Sequence, residues 1–365
     1  MRGLYVHIPF CAVKCFYCDF TAFSGQKSQS ARYLRALERE FELTRQGLSF
    51  DTLYVGGGTP SELSASEVAE LLRIVGGAYR EATFEASPDS LDAEKIAALR
   101  QGGVTRLSLG LQTAEDRLLR AVGRRHGWDD FRRTYEACRA AGFSMNVDLM
   151  YALPGQALAE CDRSLDAVLS LSPDHLSLYG LQVEDRTLFG KREVEVDEDL
   201  ARAMFESALD RLAAAGFEHY EISNFARPGR QSVHNRIYWR NGEYLGLGCG
   251  ASSFLTGTRR ANHDRLADYC AAVEAGRPPI VEAERLDGRR ALGEGVLLGL
   301  RLLEGLEWTP ELEAAFPEER RHVVARGWAA LDRGRLRLTR EGVFLANKVF
   351  AEFVEPFRSL QEAAA

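Results

Sequence analysis

The sequence of 365 residues lacks any run of about 18 or more uncharged apolar residues, so it predicts no helix that crosses a bilayer. Its apolar start, residues 4–10, is too short for the core of a secretion signal, and no small-residue cleavage site follows it. We interpret this segment as a first β-strand and expect a cytoplasmic protein.

A block of basic residues is also missing. The chain has 46 Lys and Arg against 53 Asp and Glu, a formal charge of −7, and no cluster that would follow a phosphate backbone. We therefore expect no nucleic acid partner. With 45% hydrophobic and 27% charged residues the composition is that of a globular protein, which excludes a disordered, collagen-like or coiled-coil chain.

Cysteine is scarce, and its seven copies make an odd number, which argues against a framework of disulfides. In a reducing compartment we expect free thiols. Three of them, Cys11, Cys15 and Cys18, lie within eight residues of one another, whereas the other four are scattered. We interpret the scattered four as small buried hydrophobic residues.

From residue 3 to about 225, short apolar runs alternate with amphipathic stretches, a pattern typical of βαβ units around a parallel sheet. The predicted strands are 3–9, 51–56, 82–87, 105–112, 144–152 and 175–182. The predicted helices are 29–46, 65–75, 92–101, 128–141, 157–170 and 198–215. Six units fall short of a closed (β/α)8 barrel, so we predict an α/β fold, a partial (β/α)6 barrel with ligands at the carboxyl ends of its strands.

The rest of the chain predicts two further parts beyond a barrel domain of residues 1–225. Residues 226–284 lose the alternation and are interpreted as a connecting segment, although one rich in aromatic residues. Residues 285–365 predict helices at 288–303 and 318–333, a hairpin and a closing helix, which together suggest a small winged-helix-like domain. Because its charges are mixed, we expect a structural role rather than DNA binding.

The spacing C-x3-C-x2-C of Cys11, Cys15 and Cys18, directly after the first strand, is the strongest chemical signal. Three thiolates on one loop favour zinc, copper(I) or an iron–sulfur cluster. No fourth Cys or His follows at zinc spacing, which favours a [4Fe–4S] cluster with one iron left open. The alternative is a chance grouping, or a redox pair with a spare thiol.

The segment YVHIPFCAVKCFYCDF resembles the signature of the radical S-adenosylmethionine superfamily. Within it, the chain is most similar to the group that contains oxygen-independent coproporphyrinogen III oxidase and a paralogous branch of haem chaperones, and the likeness covers essentially the whole chain. The resemblance implies that three thiolates hold three irons. The amino and carboxylate groups of S-adenosyl-L-methionine would chelate the fourth iron. Members of this superfamily cleave that ligand reductively to an adenosyl radical.

Further residues match positions that contact this ligand in the superfamily. The glycine-rich turn GGGTP after the second strand supplies Gly57, Gly58 and Thr59, whose backbone amides a ligand could approach closely, although a tight turn alone would use the same residues. The other matches are Tyr5, Tyr17, Glu85, Gln112, Arg124 and Asp148. Carboxylates at strand ends suit ribose hydroxyls and Arg124 suits a carboxylate, whereas surface ion pairing is the alternative for each.

Two features separate the oxidases from the chaperones. The oxidases carry a fourth cysteine two positions after the third, where this chain has Phe20. The string HNRIYW, which contains His234, Tyr238 and Trp239, resembles the haem-binding motif of the chaperone branch. An imidazole is a common axial ligand of haem, aromatic rings one helical turn away offer flat faces, and Arg236 could reach a propionate.

Two hypotheses follow from the resemblance. The first is a haem chaperone that holds haem through His234 and passes it to apo-haemoproteins, with the cluster serving transfer or formation of a homodimer. The second is an oxygen-independent coproporphyrinogen III oxidase. A purely structural metalloprotein is the third and weakest. Transient membrane association suits recipients that are respiratory proteins, but no amphipathic anchor supports it.

Overall fold

A computed structural model describes residues 1–355 of the chain. The first strands are β1 Gly3–Ile8, β2 Phe10–Cys11, β3 Phe23–Ser24, β4 Thr52–Gly57, β5 Glu81–Ala86, β6 Arg106–Gln112, β7 Ser144–Tyr151 and β8 His175–Gly180. They are followed by β9 Glu218–Glu221, β10 Asn224–Ala226, β11 Tyr244–Leu247, β12 Ser252–Leu255, β13 Thr258–Asn262, β14 Ile280–Arg285, β15 Leu306–Glu307, β16 Ala329–Asp332 and β17 Arg335–Leu338.

The helices lie between these strands and after them. They are α1 Ser30–Thr44, α2 Ala65–Val75, α3 Ala93–Gln101, α4 Asp116–Ala121, α5 Trp128–Ala140, α6 Leu158–Ser170, α7 Leu188–Lys191 and α8 Glu198–Ala214. The later ones are α9 Val233–Trp239, α10 Leu266–Glu274, α11 Gly288–Arg301, α12 Pro310–Ala315, α13 Pro317–Ala325, α14 Arg340–Phe344 and α15 Ala346–Ala351. Local chemistry sets their ends: at α2, the Ser64 side chain accepts from the Glu67 amide while Glu67 accepts from the Ser64 amide, a capping box.

The predicted partial barrel is confirmed. Strands β1 and β4 to β8 are the six predicted from the sequence, and they pair in parallel in the order β1-β4-β5-β6-β7-β8. The helices predicted between them are present, with ends that differ from the prediction by at most two residues.

Alternation along these strands separates a hydrophobic face from a polar one. In β1, Leu4, Val6 and Ile8 belong to the main hydrophobic core, while Tyr5 and His7 line a cavity on the opposite face. The same period holds in the other parallel strands, whose polar interior residues include Tyr54, Thr83, Glu85, Arg106, Ser108, Gln112, Asn146, Asp148, His175 and Ser177. The barrel interior is therefore lined with polar groups before any ligand is considered.

The sequence predicts that the segment 226–284 connects two domains, but in the structure it also contributes strands to the main sheet. Strand β11 pairs in parallel with β1, and β12, β13 and β14 extend the same sheet by antiparallel pairing. With β10 and β9 added beyond β8 at the other edge, the sheet has twelve strands. These strands have only four to six residues each and no strong hydrophobic period, which explains why the sequence did not reveal them.

The C-terminal part packs around a core of its own that includes Val296, Leu300, Phe316 and Val349. Its three-stranded sheet has the order β15-β17-β16. The predicted helix 318–333 is wrong in its second half, because α13 ends at Ala325 and the chain turns into β16. The end of the predicted domain, residues 356–365, lies outside the described residues.

Candidate cofactor-binding site

The cysteine loop follows β1 and lines a cavity of about 620 Å³ inside the barrel, hereafter the barrel cavity. Cys11, Cys15 and Cys18 are half-buried, and all three line this cavity. The Cys11 Sγ lies 3.3 Å from the hydroxyl of Thr59, which joins the loop to the glycine-rich turn after β4. The structure thus brings the three thiols and the predicted ligand-binding turn to one place.

The donor set suits an iron–sulfur cluster. Burial, with smaller effects from the neighbouring thiols, raises the pKa of Cys11 to about 11, and burial also raises the pKa of Cys18. Metal ligation would reverse this, because a thiol deprotonates when it binds a metal. Within residues 1–355 no three Cys, His, Asp or Glu side chains converge on the position of a single ion. Three thiolates that bind three different irons need to surround a larger group instead.

The turn after β4 is built for close approach of backbone and ligand. Gly57 has φ +114°, and a Cβ at this position would lie 2.6 Å from Cε1 of His7. A Cβ on Gly58 would lie 2.9 Å from the Phe10 carbonyl oxygen and 3.0 Å from the Cys11 Sγ. A side chain at Gly57 would therefore collide with the His7 ring and one at Gly58 with the cysteine loop, which explains why glycine is needed at both positions.

Several carboxyl groups line the barrel cavity, and two of them, Glu85 and Asp148, are among the residues predicted from the sequence. Glu85 accepts hydrogen bonds from the Tyr54 hydroxyl at 2.6 Å and the Gly57 amide at 3.2 Å, and burial raises its pKa to about 7. Asp148 accepts from Ser108 at 3.0 Å and from the Asn146 side-chain amide at 2.8 Å. Burial also raises the Asp148 pKa. Both carboxyl groups are held in fixed orientations, as recognition of ligand hydroxyls would require.

Gln112 and Arg124 complete the wall near the cysteines. Gln112 has φ +76°, and the pairing of β6 with β7 shifts register between Gly110 and Gln112. Such a bulge redirects a side chain, and backbone strain of this kind clusters at functional sites. Arg124 donates to the Tyr17 hydroxyl at 3.0 Å, while its buried Nε has no partner among the described residues. An unpaired guanidinium nitrogen in this wall fits a ligand that carries a carboxylate.

Tyr5 does not line the barrel cavity but a second one of about 630 Å³, hereafter the aromatic cavity. Its walls include five aromatic side chains, Tyr5, Phe20, Tyr238, Trp239 and Tyr244. The two cavities share Asp19, Phe20, Gly57 and Glu85, so they meet beside the cysteine loop. Phe20 is 63% exposed and stands at this junction.

His234 is fully buried rather than presented to either cavity. Its Nδ1 lies 2.8 Å from the Thr52 hydroxyl, and its Nε2 lies 2.7 Å from the Tyr238 hydroxyl. Burial, helped by the charge of Arg106, lowers its pKa to about 3, so the imidazole is neutral. Neutral imidazole is the form that coordinates iron. In this conformation, however, both ring nitrogens are already in hydrogen bonds.

Helix α9, which carries the HNRIYW string, is fixed at both ends. The Glu81 carboxylate accepts from the amides of Val233 at 3.0 Å and His234 at 2.9 Å, which satisfies donors at the helix start. At the other end, the Arg301 guanidinium of α11 lies 4.2 Å from the ring centre of Trp239, a cation–π contact with the C-terminal part. Arg236, by contrast, lines neither cavity.

Several residues of the site escaped the sequence analysis. His7 lines the aromatic cavity and is held between the Tyr5 hydroxyl at 2.9 Å and the Thr21 carbonyl at 2.7 Å. The alternation of side chains along β1 predicts that His7 lies on the interior face of this strand, together with Tyr5. Tyr244 and Arg259 also line this cavity, but no local pattern marks them.

The chain is similar to several known proteins. Residues 5–168 match the Radical SAM superfamily. Curated relatives named "Heme chaperone HemW" include one from Bacillus subtilis, 34% identical over 97% of this chain and 99% of that protein, and one from Escherichia coli, 39% identical over 70% of each. The chain belongs to the HemW family.

The structural comparison shows the fold. Coproporphyrinogen III oxidase (HemN) from Escherichia coli, described as a radical SAM enzyme, superimposes with a TM-score of 0.85 over 97% of this chain and 90% of that one, at 22% identity. At this identity the likeness supports the barrel with its C-terminal part and carries no argument about activity.

No helix within residues 1–355 is long and apolar enough to cross a membrane.

Proposed function

We propose that the chain is a haem chaperone, which binds haem and transfers it to apo-haemoproteins while carrying a [4Fe–4S] cluster and S-adenosyl-L-methionine. The proposal includes a cytoplasmic location and no nucleic acid partner. The observation that carries it is the aromatic cavity, whose wall contains Tyr238 and Trp239 of the HNRIYW helix and which opens beside the cysteine loop. Membership of the HemW family supports the same function.

The aromatic cavity fits a flat apolar ligand with polar edges. A volume of about 630 Å³ lies within the range of small-molecule sites, and aromatic walls favour stacking against a porphyrin. The Tyr238 ring contacts that of Tyr244 edge to face at 4.6 Å between centroids, so the wall is preorganised. We place haem in this cavity.

Coordination of the iron by His234 requires a local change. The imidazole would have to leave Thr52 and Tyr238 and turn towards the cavity, a step that breaks two buried hydrogen bonds. Because Tyr238 itself lines the cavity, a ligand that displaces its hydroxyl would also free the Nε2 of His234. We therefore retain His234 as the proposed axial ligand in the loaded state.

The barrel cavity would hold the other two cofactors. Cys11, Cys15 and Cys18 would bind the cluster, whose chemistry is reductive activation of S-adenosyl-L-methionine. The sulfonium ligand would lie against the turn at Gly57 to Thr59, with further contacts from Tyr17, Glu85, Gln112, Arg124 and Asp148. Tyr5 belongs to the aromatic cavity in this structure, so we assign it to haem instead. A homodimer and transient membrane contact stay predictions.

Anaerobic reconstitution with iron and sulfide, followed by haemin titration and a coproporphyrinogen turnover assay on the same preparation, tests the function. We expect a Soret band that saturates near one haem per chain and no vinyl product. His234→Ala should shift the Soret band or abolish binding, whereas the control His263→Ala, at a half-exposed histidine outside both cavities, should not. Formation of vinyl product would establish the oxidase instead.

A further inference from the structure

A haem with free propionates carries two negative charges at one edge, and a binding cavity needs cations near that edge. Within the described residues, the aromatic cavity is lined by two arginines, Arg186 and Arg259, and by no lysine. We propose that Arg259, assisted by Arg186, binds the propionates of the haem. This inference rests on the proposed function and adds the groups that recognise the ligand's carboxylates.

Arg259 is fixed in place for this task. It lies on β13, where its guanidinium donates to the Tyr244 hydroxyl at 3.2 Å and lies 5.0 Å from the ring centre of Phe254. Tyr244 is itself part of the cavity wall. The arginine side chain is 31% exposed, so its charge is partly shielded from bulk water yet reachable by a ligand. A guanidinium held in this way forms the strong paired hydrogen bonds that carboxylates prefer.

Each of the two arginines already pairs with a carboxylate. Arg259 forms an ion pair with Glu294 of α11, and Arg186 pairs with Asp19 at 2.7 Å. Arg186 is largely exposed, so a propionate could replace Asp19 at small cost, whereas Glu294 is only 18% exposed and competes with the propionate for Arg259. Arg186 is 74% exposed, and we therefore expect it to contribute less than Arg259.

The experiment compares two ligands on matched variants. Haemin and haemin dimethyl ester, which lacks the propionate charges, are titrated against the wild-type chain, Arg259→Gln and Arg260→Gln. Arg260 is the neighbour of Arg259 on β13, so it points to the opposite face of the strand and lines neither cavity. We expect Arg259→Gln to weaken haemin binding about tenfold and to leave the diester unchanged, so that the wild-type preference for haemin disappears.

Two more variants refine the test. Glu294→Gln removes the carboxylate that competes for Arg259, and haemin affinity should rise roughly threefold. Arg186→Gln should lower it by less than Arg259→Gln does. Equal losses for haemin and its diester in Arg259→Gln would show a purely structural role and overturn the inference, as would an effect of Arg260→Gln of the same size. If the wild-type chain binds neither ligand, the proposed function itself fails.

Discussion

Substituting Gly57 by alanine would test how the glycine-rich turn shapes both cavities. The new Cβ would lie 2.6 Å from the His7 ring, and the residue would keep φ +114°, a conformation that L residues rarely adopt. Backbone strain of about 1–2 kcal/mol and overpacking of about 1–3 kcal/mol together predict a loss of about 2–5 kcal/mol in the free energy of unfolding. Urea unfolding of the reconstituted chain measures it, and the iron content should fall in parallel.

A matched control separates the two contributions. Gly142, just after α5, has φ +84° but no atom within 4 Å of an added Cβ, so Gly142→Ala should lose only the strain of about 1–2 kcal/mol. His7→Ala combined with Gly57→Ala should cost less than the sum of the single changes, because the smaller side chain leaves room for the Cβ. If Gly57→Ala is as mild as Gly142→Ala and keeps its iron, the reasoning about this turn is refuted.

Three further predictions concern other groups of the site. Thr52→Val leaves the buried Nδ1 of His234 without its partner and should lower the free energy of unfolding in urea by about 1–3 kcal/mol. Thr52→Ser keeps the hydroxyl and should retain most of the stability, and an equal loss in the two variants would contradict this. Phe20→Ala should change the free energy of unfolding by less than about 0.5 kcal/mol, because the ring is 63% exposed, but should weaken haemin binding severalfold. The control Val13→Ala, which alters only the barrel cavity, should leave haemin binding unchanged. Unchanged haemin binding in Phe20→Ala would show that Phe20 is not part of the haem site. Burial raises the pKa of Glu40 to about 7 from an ordinary 4.5, so its contribution to stability is present below pH 4.5 and lost as pH rises through about 7. Glu40→Gln should flatten the decline in stability between pH 5 and pH 8, apart from a remainder from Glu85, Asp148 and Glu221, whose pKa values burial also raises. A decline equal to that of the exposed control Glu42→Gln would contradict the assignment.

The parallel strands were predictable because each combines a short length, a run of apolar residues and a following amphipathic helix. Their ends, and with them the cysteine loop and the turn at Gly57, follow directly from that pattern. The contact between Cys11 and Thr59 depends on the pairing of β1 with β4, which the sequence pattern did not specify. In these regions local sequence and tertiary structure agree.

Other features depend on distant parts of the chain, and the sequence carried no local sign of them. His234 is buried because Gly3 and Thr52, on two strands far away in sequence, provide its space and its hydrogen-bond partner. The strained backbone of Gln112 arises from a register shift against β7. Arg259 is one arginine among many until the short strands β11 to β13 place it at the aromatic cavity.

The position of Trp239 has a practical consequence. Of the four tryptophans of the chain, it alone lines the aromatic cavity, whereas Trp128 lies on α5 and Trp308 and Trp328 pack against the C-terminal core. Its indole fluorescence should therefore be quenched when a strongly absorbing pigment enters that space. The molecule thus contains its own optical reporter, with which arrival and departure of the cargo could be timed without any attached dye.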